Sequence, residues 1–184
     1  GLTYQLKPLP AATLLPPPLA TNLITENQDF WKQAMEEEFP RVENALAPPK
    51  TMAGKNPVDW LLGHLHSQSN PNPNALFVAN LYSRSLNFWG VQIQRAGQLS
   101  AAANCFTNAQ KINPDNKVAE INWKFNQSLQ AGETPTLNPG AINADQFGKY
   151  RDWSSLLNGD GPFDDPSYCF RNGVICMANT FHDQ

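Results

Sequence analysis

Apolar residues recur along most of this chain at helical rather than strand spacing, and the polar positions between them carry helix starts and stops. Phe30, Trp31, Ala34, Met35, Val42 and Leu46 stripe one face of a first helix. Thr25-x-x-Gln28 fits a capping box with Ile24 as its staple, which places the helix start at Thr25. Pro40 is expected to kink or split this helix near Phe39, and Pro48-Pro49 ends it. Asn56-Pro57 opens a short helix striped by Val58, Leu61, Leu62 and Leu65 and ending near Ser67. After the Asn70-Pro71-Asn72-Pro73 turn, Leu76, Ala79, Tyr82, Leu86, Trp89 and Ile93 mark a long helix over 73–96, and another follows over 99–112. Ile121, Trp123, Phe125 and Leu129 predict a helix over 115–130, stopped by Gly132. Residues 134–140 hold two prolines and a glycine and exclude a helix there. Phe147, Tyr150, Trp153, Leu156 and Leu157 predict a helix over 143–157, and Val174, Met177, Ala178 and Phe181 a last one. The fold class is therefore all-α. Residues 1–24, with Pro8, Pro10 and Pro16-Pro17-Pro18 among leucines, are expected to form an extended Pro-rich arm. Residues 25–73 form an N-terminal helical segment, expected to make one compact domain with 74–184.

Within the long pair of helices, the small residues have a packing logic. Leu86-x-x-Trp89-Gly90-x-x-Ile93 is followed by Ala102-x-x-x-Phe106 and then Pro114. Gly90 removes a side chain where the first helix meets the second, Ala102 and Ala109 do the same from the other side, and Phe106 fills the gap. Gly97 ends the first helix at low cost by taking a positive φ. Pro114 closes the second helix. This spacing resembles one tetratricopeptide repeat, with Leu86, Trp89 and Ile93 standing for the family's opening aromatic, leucine and tyrosine. Trp123 follows Trp89 by 34 residues, the period of that family, and the 143–157 helix stands as a displaced partner after an insertion. The resemblance extends over about 74–184 as one good repeat, one interrupted repeat and a half repeat.

The resemblance implies antiparallel helical hairpins stacked as a short right-handed solenoid. It also implies a concave surface that holds a protein or peptide ligand. Mapped onto this chain, that surface comprises Arg84, Asn87, Val91, Gln94 and Arg95, then Ile121, Phe125 and Ser128, and finally Asn179 and His182. Arg84 and Arg95 suit an acidic ligand, and Asn87 and Gln94 suit a peptide backbone. The half repeat leaves its last helix without a partner, which points to self-association there or to further chain. The expected function is a non-catalytic interaction or scaffold module. The alternative is a soluble accessory domain of a larger, membrane-embedded bacterial envelope enzyme such as a glycosyltransferase.

Composition adds mostly exclusions. The net charge is -3 with 16% charged residues and no basic cluster, which argues against nucleic acid. The longest apolar runs fall well short of a membrane span. Cys105, Cys169 and Cys176 lack metal spacing and read as free thiols, Cys105 as core filler. His64 and His66 sit two apart, on different faces of any helix, so they make no zinc pair. Asp160, Asp164 and Asp165 lack the closing glutamate of a calcium loop; the last two are expected to cap the following helix. Ser154, Ser155 and Ser167 lack a nucleophile context, and the sequon Asn126-x-Ser128 falls inside a helix. No catalytic residue, metal or cofactor is assigned.

Overall fold

The computed structural model describes residues 19–47, 72–138 and 152–182, with 140, 142, 147 and 150 between them; of 179–182 it describes the backbone alone. Residues 1–18 of the arm expected over 1–24, the helix around Leu61 and the histidines at 64 and 66 lie outside the described residues, while residues 21–24 of that arm are helical rather than extended. The described chain is all-helical, as the apolar spacing requires: α1 (Thr21–Glu37), α2 (Phe39–Leu46), α3 (Pro73–Arg95), α4 (Leu99–Ile112), α5 (Lys117–Gln130), α6 (Trp153–Asp160) and α7 (Pro166–His182).

The first helix begins four residues earlier than the capping box suggests, at Thr21 rather than Thr25. Thr25 instead donates its hydroxyl back to the Thr21 carbonyl at 3.1 Å, a bond available only inside a helix. Leu19 already packs on the core, so the chain is seated before Thr25 and needs no cap there. The break at Pro40 is where proline dictates. α1 ends at Glu37, α2 takes Pro40 into its first turn, and Phe39 is buried against Tyr82 with ring centres 5.5 Å apart.

Helices α3 to α5 follow their punctuation closely. The Asn72 carboxamide accepts from the Asn74 and Ala75 amides, and Pro73 fills the first helical position. At the other end Gly97 takes φ 82°, letting the Gln98 amide reach the Ile93 carbonyl at 3.0 Å and the Gly97 amide reach Gln94 at 2.9 Å. α4 then folds back on α3. Ser83 bonds the Ala109 carbonyl at 2.7 Å, and Gly90 faces Phe106, so positions pair in opposite order along the two helices. Asn116 caps α5 by accepting from Ala119 at 2.8 Å. The bonds from α3 to α5 join Ser83 to Asn116, Asn87 to Asn122 and Gln94 to Asn126, a nearly constant offset that makes α3 and α5 run parallel.

Two cores result. The larger is built from α1 to α5 around Phe39, Leu86, Val91, Ile93, Ala102 and Phe106. The smaller gathers Val118, Phe147, Leu156 and Phe163, flanked by Tyr150, Trp153 and Tyr168. The helix expected over 143–157 is not one element. Residues 142 and 150 are outside helices, and α6 starts at Trp153 behind an Asp152 cap that accepts from the Ser155 amide at 2.8 Å. Phe147 and Tyr150 share helical spacing with Trp153, yet Phe147 reaches the small core from a 3-10 turn and Tyr150 from backbone outside any helix.

Candidate functional site

The described residues with the densest polar bonding lie where α3 and α5 run side by side. Asn87, Asn116, Asn122 and Asn126 are fully buried there, and Gln94 nearly so. A buried carboxamide is costly unless both its donor and its acceptor are used. Here they are used on one another and on an extended strap, Gly161–Asp165, that crosses this face between α6 and α7.

The contacts run in register. Asn87 donates to the Asp160 carbonyl at 2.9 Å and to the Pro162 carbonyl at 3.2 Å. Asn122 donates to the Pro162 carbonyl and to Asn87 Oδ1, both at 2.8 Å, and its own oxygen accepts the Asp164 amide at 2.8 Å. The Asp164 carboxylate is gripped by Gln94 Nε2 on one oxygen and Arg95 Nε on the other, each at 2.6 Å. Asn126 fixes Gln94 by donating to its carbonyl oxygen at 2.7 Å, and also bonds the Leu99 carbonyl at 3.0 Å. The sequon asparagine is thus consumed inside the fold.

Asp160 anchors the strap's start. Its carboxylate accepts the Lys117 amide at 3.2 Å at the positive end of α5, and the Tyr150 hydroxyl. Burial, then the hydrogen bond and charge of Asp160, hold the Tyr150 hydroxyl above the ordinary tyrosine range. Gly161 leaves α6 at φ 97° and ψ -171°, a region open essentially to glycine alone. A Cβ there would meet Asn87 Nδ2 at 2.9 Å and the Arg84 carbonyl at 3.3 Å. The close approach that lets Asn87 reach both flanking carbonyls therefore depends on glycine. Asp165 caps α7 as expected, accepting from the Ser167 amide at 2.8 Å, whereas Asp164 is spent on Gln94 and Arg95.

Of the ten residues mapped to a concave surface, Asn87, Gln94 and Arg95 converge on this strap. Val91 is fully buried between them. Arg84 adjoins the strap's start at Gly161 and lines an apolar cleft of about 800 Å³ with Leu23, Trp31, Phe88 and Trp89. Ile121 flanks the small core. Phe125 and Ser128 line a cleft of about 220 Å³ beside Thr134 and Pro166. The side chains of Asn179 and His182 lie outside the described residues. Spacing alone overlooked Asn122 and Asn126, although asparagine at i and i+4 inside a helix is poor for propensity and is itself a signal.

Chemically the face offers amides, one half-exposed guanidinium and a carboxylate already paired. Such a set binds and orients backbone. Among the described residues no group of three or more His, Cys, Asp or Glu is placed to hold a metal ion, and no helix is long and apolar enough to cross a membrane. Comparison of the chain with family models, with curated proteins and with solved structures gives no match.

Proposed function

We propose that this chain is a non-catalytic protein-interaction module of tetratricopeptide-like build, whose α3–α5 face holds an extended peptide backbone. The observation that carries the reading is the Asn87–Asn122 pair, which grips the main chain of the strap from two parallel helices at once. The parallel run of α3 and α5, with bonded partners 32 to 35 positions apart, supports the repeat-like build. So does the Gly90–Phe106 approach in the hairpin that separates them.

A carboxamide has one donor group and one acceptor, as a peptide unit does, so a row of them recognises main chain irrespective of side chains. Arg95 adds a preference for acidic peptides by its charge and planar donors. Screening a displayed random-peptide library against the chain tests the reading. Enrichment of acidic, extended sequences that is lost in Asn122→Ala supports it. No enrichment on either the native chain or a variant with the strap weakened rejects it.

A further inference from the structure

We infer that Gly161–Asp165 is a built-in ligand of the α3–α5 face, and that it competes there with an acidic peptide of another protein bearing Gly-Pro-aromatic-Asp. The inference rests on the interaction-module reading and adds a partner class and a form of regulation to it.

Four observations lead to it. First, the bonds from Asn87 and Asn122 end on main-chain atoms of the strap, on the carbonyl of Asp160 just before it, or on each other, so any chain that follows the same backbone path satisfies them. Second, two strap positions are read individually. Position 161 is restricted to glycine by its backbone and by its contact with the Asn87 amide. Position 164 is read as a carboxylate by Gln94 and Arg95. Third, the strap's large side chain points elsewhere. Phe163 packs among Phe147, Trp153 and Tyr168, with centroid separations of 6.0, 5.7 and 4.9 Å. Fourth, among the described residues the buried members of the large core all come from α1 to α5 and none from α6, the strap or α7, so its packing does not depend on the strap's side chains.

What holds the strap down is thus a polar clamp on the α3–α5 face together with Phe163 seated in the small core over Val118 and Ile121 of α5. Polar contacts exchange readily for equivalent ones from a competing peptide, because the groups uncovered are never left unpaired for long. The Arg95 side chain is 47% exposed, which leaves the latch on Asp164 open to solvent and to screening by salt. A competitor with the same Gly-Pro-aromatic-Asp order, preceded by at least one residue, gains every main-chain bond and the latch. One lacking the glycine or the aspartate loses the two features the face reads.

The test is fluorescence polarisation with a labelled peptide of residues 158–167, titrated with the full chain. Three forms are compared: native, Asp164→Ala, and Asp164→Ala combined with Asn122→Ala, each checked for helical content by circular dichroism. Weakening the built-in strap is expected to tighten peptide binding on the order of tenfold, from the loss of one charge-assisted pair. Adding Asn122→Ala removes the binding. If Asp164→Ala proves unfolded, Asp164→Asn keeps the volume and removes the charge. A folded strap variant that binds the peptide no better than the native chain overturns the inference. Library-selected peptides that bind native and strap-weakened chains equally also overturn it, while leaving the interaction reading intact.

Discussion

Replacing Gly90 with alanine tests the approach of α3 to α4, because the two relevant effects have opposite signs. On helix propensity alone, Gly→Ala inside α3 stabilises by about 1 kcal/mol. On packing, the new Cβ meets Phe106 Cε1 at 2.5 Å, Cδ1 at 2.9 Å and Cζ at 3.1 Å. Ordinary carbon contacts lie near 3.5–4.0 Å, so the ring must retreat by about 1 Å. Phe106 is fully buried, with Leu86, Ile93, Ala102 and Ala109 in the same core, so the retreat displaces neighbours. Overpacking of this kind costs about 1–3 kcal/mol, and a clash with three ring atoms belongs near the upper end. The net expectation is a loss of about 1–2 kcal/mol, or a fall in melting temperature of about 3–6 °C for a chain of this size. Thermal and urea unfolding followed by circular dichroism measure it. Phe106→Leu in the same chain removes the ring edge, so the double variant should be more stable than the sum of the single losses predicts, by about 1 kcal/mol. A rise in melting temperature for Gly90→Ala, or strict additivity with Phe106→Leu, would refute the close approach.

Three further outcomes follow from the same geometry. Gly161→Ala forces an L side chain into φ 97° against the Asn87 amide and should cost about 1–3 kcal/mol, seen as a lower urea midpoint; an unchanged midpoint contradicts the clamp. The Cys105 thiol is pushed up to about 12 by burial, and the Cys169 thiol is also raised, by burial first, and donates to the Phe163 carbonyl, so a disulfide reagent at pH 8 should modify the exposed Cys176 first, Cys169 more slowly and Cys105 only on unfolding. Glu120 is held below the ordinary glutamate value of 4.5 by hydrogen bonds from Lys124 and then Lys117. Its contribution is present above pH 4.5 and disappears as pH falls through the lowered folded value, so Glu120→Gln should flatten the acid limb of the stability profile. The side chains are over a third exposed, so the effect is small, and a steeper acid limb in the variant would contradict the sign.

The parts legible from sequence were those with local causes. Asn72-Pro73, Gly97, Pro114 and Gly132 bound α3, α4 and α5 because caps and turn residues act within a few positions. The Gly90–Phe106 register was also readable, since only small residues permit the approach. The polar face was not. The apolar residues that marked α5 in the sequence were Ile121, Trp123, Phe125 and Leu129, yet the most buried positions are Val118, Ala119, Asn122 and Asn126. An apolar count cannot see a face whose burial is repaid by hydrogen bonds to a strap about forty residues downstream. The early start of α1 and the late start of α6 have a similar cause. Leu19 and Phe147 are seated by tertiary packing, which overrides the local capping and spacing signals at Thr25 and across 143–157.

Hydrogen exchange of the Asp164 amide tests the clamp itself. This N–H lies outside any helix and donates to the Asn122 side-chain oxygen at 2.8 Å. Resolved by NMR, it should exchange as slowly as the interior amides of α5 in the native chain, and lose that protection in Asn122→Ala while the α3 and α4 amides keep theirs. Exchange at the rate of an unstructured peptide in the native chain would mean that the asparagines do not hold the strap.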